Sequence, residues 1–239
     1  MTFNVNGIRS AWGKGLRSVI RSLDVDVACL QEIRCQGENL DSYGIAGFES
    51  YFCPSSKLGY AGVGVFSRIP VLKFYNGLTS FEWDGRVMIV EYEEYYLVNV
   101  YLLAADPDWD NDYVRARWIS KLQEVVVFLE SKKPVIICGD LNVDGYLSYS
   151  THRVVTSLTS LPYRAFVCLL NAGYEDVWLM QHPSHKGATW FRYGASRSSG
   201  CRLDYFLVSE RLLGKVCSCE IHDICGLSDH RPVILELDV

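Results

Sequence analysis

What this chain lacks narrows the field first. No uninterrupted apolar run approaches the roughly 20 residues of a membrane-spanning helix, although 49% of its residues are hydrophobic. The N-terminus lacks the charged-then-apolar pattern of a signal peptide, and no Asn-x-Ser/Thr acceptor occurs. The nine cysteines are odd in number and contain no Cys-x-x-Cys pair. Cys217-Ser-Cys219 and Cys225 cluster only loosely, so reduced thiols are expected in place of a zinc site or a disulfide framework. Cys29 and Cys138 lie inside apolar runs, where a thiol behaves as a small hydrophobe. The expected compartment is therefore intracellular and reducing, cytoplasm or nucleus, with no membrane association. There is no fixed-period repeat, no low-complexity tract and no composition break that would serve as a linker.

Positive charge is also in short supply. The net charge of −5 argues against a protein that coats nucleic acid through charge alone. It does not exclude a nuclease, because an active site rich in carboxylates is itself acidic and a local basic face can coexist with a negative total.

What is present reads as one domain over residues 1–239, long enough to bury a substantial core. Short β-branched and aromatic runs predict strands at Met1–Asn6, Val25–Leu30, Phe48–Cys53, Gly62–Ser67, Val71–Tyr75, Arg86–Tyr92, Tyr95–Leu102, Val135–Cys138, Arg202–Val208, Val216–Ile221 and Val233–Leu237. Glu93-Glu94 is a tight turn between two of them. Helical spacing predicts helices over Trp12–Leu23, Asp112–Ser131 and Pro162–Asn171. The second has Asn111 or Asp112 as its N-cap. Glu38–Gly47, Ala104–Asn111, Gly145–Leu161, His182–Gly187 and Tyr193–Gly200 read as loops. Many strands with few, separated helices favour a single α/β domain with a sheet core. Alternating hairpins and helix crossovers favour mixed sheets.

Four of the strands end in polar residues: Gln31-Glu32, Asp140-Leu141-Asn142, Arg202-Leu203-Asp204 and Ser228-Asp229-His230, with Asn4 and Asn6 near the start of the chain. Carboxylates placed just past apolar runs would project from a sheet edge into a common cleft. All-oxygen ligands suit magnesium, manganese or calcium rather than zinc. Phosphodiester hydrolysis needs a cation to offset phosphoryl charge, a base for water and donors for the non-bridging oxygens. Each residue alone has a plainer reading: a loop glutamate, a turn aspartate, a structural histidine. His182-Pro183-Ser184-His185 reads as loop, not as a metal pair.

Several stretches occur in one order over nearly the whole chain: Asn4-Val5-Asn6-Gly7-Ile8-Arg9, Leu30-Gln31-Glu32, Gly59-Tyr60-Ala61-Gly62-Val63-Gly64, Asp84-Gly85-Arg86-Val87, Gly139-Asp140-Leu141-Asn142, Arg202-Leu203-Asp204-Tyr205-Phe206 and Ser228-Asp229-His230. Together they resemble the motifs of the exonuclease III-type apurinic/apyrimidinic endonucleases. The resemblance implies a four-layered α/β sandwich, with two mixed β-sheets packed face to face between flanking helices. It implies that Glu32, Asn6 and Asp229 hold Mg2+, with Mn2+ as a substitute. Asp140, aided by Asn142, would orient or deprotonate the attacking water. His230, held by Asp204, would contact the phosphate and titrate above its ordinary range, and Tyr101 would face the phosphate. Asn4, Arg9 and Arg115 would bind substrate, although for Arg115 and the neighbouring Arg117 a solvated helix face is an equal reading. Trp190, Phe191 and Leu203 would line the pocket for an extruded sugar, with a core position for the two aromatics left open. The implied partner is double-stranded DNA containing abasic sites, cut by a monomer 5′ of the lesion to leave a 3′-hydroxyl, with 3′-exonuclease or 3′-phosphatase activity beside it.

The chain also departs from that pattern. Tyr101 is followed by Leu102-Leu103-Ala104, where the family carries proline and asparagine. Cys201 stands where some members have tryptophan, and the first strand is short. A retrotransposon-type endonuclease that nicks intact DNA, a superfamily phosphatase or lipid phosphodiesterase, and a non-catalytic DNA-binding relative remain as alternatives. The chain end two residues after the last strand weighs against the first, the Arg202–Phe206 motif against the second and the intact acidic set against the third.

Overall fold

The computed structural model describes residues 1–77, 84–105, 111–144, 161–185, 187–192, 200–224 and 226–239. Among these, two six-stranded sheets form the centre of the molecule. The first contains β1 (Thr2–Asn4), β2 (Val27–Gln31), β3 (Glu49–Cys53), β4 (Val63–Ser67), β11 (Val216–Ile221) and β12 (Val233–Leu237), in the order β11-β12-β1-β2-β4-β3. The second contains β5 (Lys73–Asn76), β6 (Val87–Glu91), β7 (Tyr96–Tyr101), β8 (Val135–Asp140), β9 (Tyr174–Asp176) and β10 (Asp204–Ser209), in the order β5-β6-β7-β8-β10-β9. Both sheets are mixed: β1–β2 and β7–β8 run parallel, and the other pairs are antiparallel.

Alternation along the strands builds the layers. In β8, Val135 and Ile137 face α3 (Asp112–Glu130) and α4 (Leu161–Leu170), in a core that includes Ile119, Leu122, Val126, Phe166 and Leu169. Ile136 and Cys138 face the other way and meet Cys29, Val63 and Val65 of the first sheet. The outer face of that sheet, with Phe3, Leu30 and Phe66, is covered by Ile8, Ala11, Leu16 and Ile20 of α1 (Ile8–Gly13) and α2 (Leu16–Ser22). Helices, sheet, sheet, helices give the expected four-layered α/β sandwich, because period-2 strands with apolar residues on both faces must be covered on both. The buried side chains Gln31 and Asn99 cross the inter-sheet space: Gln31 Nε2 donates to Asn99 Oδ1 (2.7 Å), and Asn99 Nδ2 donates to the carbonyls of Leu30 (3.2 Å) and Gly64 (3.0 Å).

Several expectations need correction. The single helix over Trp12–Leu23 is two helices, broken where Gly15 adopts φ 104°. Asn111 stands at the N-cap of α3 but donates its amide to the Ala104 carbonyl (2.9 Å) instead of capping. Glu38 lies in a short 3-10 helix, Gly37–Ser42. The strand β9 and the helix α5 (Val177–Gln181) have no counterpart in the periodicity, being only three and five residues long. The readings at Gly145–Leu161, Tyr193–Gly200 and Ala104–Asn111 fall wholly or largely outside the described residues.

The strand β8 does not stop at Cys138 but runs through Gly139 to Asp140. Gly139 has φ 133°, and a Cβ there would lie 1.9 Å from the Val100 carbonyl oxygen on β7. Backbone cannot yield as a flexible side chain can. Gly139→Ala is therefore expected to destabilise the fold by about 3 kcal/mol, read as a lower urea midpoint with an unchanged denaturant slope. An unchanged midpoint would contradict this packing.

Candidate active site

Strand register assembles the site. Parallel pairing of β7 with β8 sets Tyr101 beside Asp140, and antiparallel pairing of β10 with β8 sets Asp204 on the other side of Asp140. In the first sheet, Asn4 lies beside Gln31, so Glu32 follows directly past the edge. Asp229 and His230 arrive in the turn before β12. Polar ends from both sheets thus meet at one edge of the sandwich.

Asn4 joins them. It is fully buried, and its Nδ2 donates to Glu32 Oε1 (2.9 Å) and to Asp140 Oδ2 (2.8 Å). Glu32 Oε2 is paired with Arg34. Asn6 Nδ2 donates to Asp229 Oδ1 (2.9 Å), and the Trp190 indole N–H donates to Asp229 Oδ2 (3.0 Å). The Ser228 hydroxyl lies 3.2 Å from Asp229 Oδ1 and accepts from the His230 backbone N–H (3.2 Å). His230 Nδ1 lies 2.8 Å from Asp204 Oδ2, and its Nε2 is turned toward Asp140 Oδ2 at 3.9 Å.

The electrostatics follow from burial and partners. Burial pushes the Asp140 carboxyl well above the usual range, against the pull of His230 and with the charges of Asp204 and Glu32 adding to it. Burial works to lower His230, but Asp204, then Asp140 and Asp229, outweigh it and raise it from 6.5 to about 10. Asp229 is also desolvated, yet His230 and the bonds from Asn6 and Trp190 hold it below the usual carboxylate range. Burial raises the Tyr101 phenol further, with the charges of Glu32 and Asp140 beside it. Its hydroxyl stays protonated and can donate.

The structure brings together Asn4, Asn6, Glu32, Tyr101, Asp140, Asp204, Asp229 and His230. Trp190 is half-buried against Asp229. Phe191 is half-buried, with its backbone N–H donating to the Asp229 carbonyl (3.0 Å), while Leu203 is buried. Arg9 is exposed on the first turn of α1. Asn142 is half-buried. Its backbone N–H donates to Asp140 Oδ1 (2.9 Å), and its side-chain amide donates to the Leu102 carbonyl (2.8 Å).

Two expectations are corrected. Asn4 does not reach substrate, because both of its N–H groups are taken by carboxylates. Arg115 is neither phosphate-facing nor solvated: it is fully buried, donating to the Leu103 carbonyl (3.1 Å), to Asp112 (2.9 Å) and to the Asn142 carbonyl. It ties α3 to the loops after β7 and β8. A residue missed from sequence is Thr189, whose buried Oγ1 accepts from the backbone N–H groups of Leu203 (3.0 Å) and Asp204 (3.1 Å). A threonine in a short extended segment carries no signal of that role.

Two donor sets could hold a cation. The oxygens of Glu32, Asn6 and Asp229 suit a hard ion. Ligand atoms of Asp140, Asp204 and His230 all lie within 4.8 Å of one another. The protonated, Asp204-bonded His230 is a donor in that state and not a ligand, which favours the all-oxygen set.

A buried, proton-holding aspartate and a histidine–aspartate pair beside oxygens that suit a hard cation fit a metal-assisted hydrolase. Comparison with known proteins narrows the class. The model of the endonuclease/exonuclease/phosphatase family matches residues 1–230, and the chain belongs to that family. Over its whole length it is 34% identical to Recombination repair protein 1 of Drosophila melanogaster, of which it spans 37%, and 32% identical to an exodeoxyribonuclease of Bacillus subtilis, of which it spans 99%. It is 30% identical to a DNA-(apurinic or apyrimidinic site) endonuclease of Dictyostelium discoideum, spanning 100% of this chain and 70% of the other. The fold superposes on that of a Neisseria 3′ phosphatase bound to a product DNA hairpin with a TM-score of 0.87, at 23% identity, covering 100% of this chain and 98% of the other.

The raised His230 has a signed consequence. Its folded value lies above its ordinary 6.5, so the Asp204–His230 pair contributes stability that is complete below pH 6.5 and is lost as pH rises toward about 10. In metal-free protein at pH 8 the imidazole is expected to be protonated by nitrogen-15 NMR, and neutral in Asp204→Asn. A neutral imidazole in the unmutated protein at pH 8 would refute the pairing.

Proposed function

We propose that the protein is a magnesium-dependent DNA phosphodiesterase, a monomer of a reducing compartment that cuts duplex DNA 5′ of an abasic site. The cut breaks the P–O3′ bond and leaves a 3′-hydroxyl. The observation that carries this reading is the buried Asp140 carboxylate, bonded by Asn4 and flanked by Tyr101 and the Asp204–His230 pair.

Asp140 is the base that takes the proton of the attacking water. Burial lifts its affinity for that proton toward the range in which a base works near neutral pH. His230, kept protonated by Asp204, offers its Nε2–H to a non-bridging oxygen, and the Tyr101 hydroxyl offers a second donor. Such donors act most strongly where charge develops in the transition state. Glu32, Asp229 and Asn6 would hold Mg2+, or Mn2+ as a substitute, which when bound offsets phosphoryl charge. Trp190, Phe191 and Leu203 stand beside this cleft as walls for an extruded sugar. A nucleotide without its base loses little stacking on extrusion, which favours the lesion over intact DNA.

The names of the relatives support DNA as substrate and leave room for 3′-end processing by the same cleft, since removing a 3′-phosphate uses the same water, base and donors. The test is a labelled duplex with one abasic analogue, run beside an intact duplex and a nicked duplex ending in a 3′-phosphate. Cutting of the abasic strand is expected to need magnesium, to stop on chelation and to return when magnesium is restored. Asp140→Asn is expected to lower the rate roughly a thousandfold. Unchanged activity in that variant would overturn the assignment of the base, and equal cutting of intact DNA would overturn the preference for the lesion.

A further inference from the structure

The stretch Asp84-Gly85-Arg86-Val87 takes no part in the chemistry above, yet it presses a surface loop onto Tyr101. The Asp84 carboxylate accepts from the Ser55 hydroxyl (2.8 Å), the Ser56 backbone N–H (2.7 Å) and the Ser56 hydroxyl (2.8 Å). Gly85, at φ 65°, lies so close to the same loop that a Cβ would stand 2.5 Å from the Ser55 nitrogen. Arg86 comes next and is only 4% exposed. One Nη donates to the Tyr60 hydroxyl (2.8 Å) and the other to the Tyr101 carbonyl (3.2 Å). Its carbonyl in turn accepts from the Tyr101 backbone N–H (2.8 Å).

The guanidinium also lies against both rings, 5.2 Å from the Tyr60 centroid and 4.8 Å from the Tyr101 centroid. Lys57 stands over Tyr60 at 4.7 Å. Cation, ring, cation and ring thus alternate from an exposed loop, where Tyr60 is 40% exposed, to the buried wall of the cleft. Strand pairing fixes the Tyr101 backbone but not the rotation of its side chain. A planar, charged group bonded to that backbone and lying against the ring restrains the rotation, and arginine alone among cations has the flat fork to do so.

We propose that Arg86 is a positioning residue for Tyr101, and that through it the loop carrying Lys57 and Tyr60 sets where the Tyr101 hydroxyl stands. The inference rests on the reading of Tyr101 as the phosphate-facing donor. It assigns to Arg86 no contact with substrate.

The test is a double-mutant cycle in single-turnover cleavage of the abasic duplex, with duplex affinity measured by anisotropy in calcium. Arg86→Gln is expected to lower the cleavage rate about thirtyfold while affinity changes less than about threefold. Arg86→Lys restores the charge without the fork and is expected to stay within about threefold of Arg86→Gln. In a Tyr101→Phe background, Arg86→Gln is expected to cost less than about threefold more, since its effect passes through the missing hydroxyl. Full multiplication of the two effects overturns the proposal and leaves the role of Tyr101 standing. A Tyr101→Phe variant with unaltered rate overturns both. If Arg86→Gln does not fold, Tyr60→Phe, which removes only the hydroxyl acceptor, carries the same cycle: its loss is expected to vanish in the Tyr101→Phe background, and multiplication again overturns the proposal.

Discussion

One side-chain amide sets the spacing on which this site depends. Asn4 ends a strand of the first sheet, and its two N–H groups are divided between Glu32 of that sheet and Asp140 of the second. Each bond to a carboxylate is worth about 1.5–3 kcal/mol, but a neutral amide cannot cancel two negative charges. The carboxylates are therefore held close in a desolvated edge, where burial raises the proton affinity of Asp140, the charges of Asp204 and Glu32 add to it, and His230 and the bond from Asn4 oppose it. That arrangement is poor for stability and useful for chemistry. Burial raises the proton affinity of Asp140, and the crowded carboxylates make the cleft receptive to a cation. An aspartate at position 4 would add a third charge, and an alanine would leave Glu32 and Asp140 without their shared donor.

The rest of the site is supported from behind. Asp204 faces His230 because Thr189 fixes its backbone and β8 fixes its register. Arg202, two residues earlier, is buried against Asp176 (2.6 Å), anchoring the start of β10 to the end of β9. Arg115 closes the loops after β7 and β8 from beneath. Each of these groups has its charge matched inside the fold, so none competes with substrate. The supporting layer carries the buried Arg115 and Arg202, and the cleft is left with its carboxylates beside the donors His230 and Tyr101.

Much of this was legible in the sequence, for an identifiable reason. Apolar runs ending in Glu32, Asp140 or Asp204 show both a strand and its polar terminus, and period-2 burial places the strand correctly. The motif order along the chain then specified the sandwich and its edge. What the sequence hid were contacts made by ordinary residues over long separations. Asn4 reads as a substrate-facing asparagine until its partners 28 and 136 residues away are known. Arg115, at the start of an amphipathic helix, shows nothing that distinguishes burial beneath two loops from solvent. Thr189 and the Arg86 stack are invisible for the same reason. The helix break at Gly15 was visible as a glycine, but periodicity continued across it.

The backbone aims these side chains. Among the described residues, six other than glycine have positive φ, and three of them are Asn6, Glu32 and Asn142, with Arg34 and Ala61 close by in the chain or in space. Left-handed backbone costs such residues on the order of 1–3 kcal/mol each. A strand that simply continued would alternate its side chains between the two faces of the sheet. A single left-handed residue past the strand end turns the chain, so that the side chain points along the edge into the cleft. Asn142 shows how the strain is held: its backbone N–H is bonded to Asp140 and its amide to Leu102, which leaves the loop no relaxed alternative of equal bonding. Glycine at these positions would relieve the backbone but remove the donors and carboxylates that the edge exists to present. Strain at the strand ends is thus the cost of aiming several polar side chains from two sheets at one point, and the buried hydrogen bonds around Asn4 and Arg115 are what keep it in place.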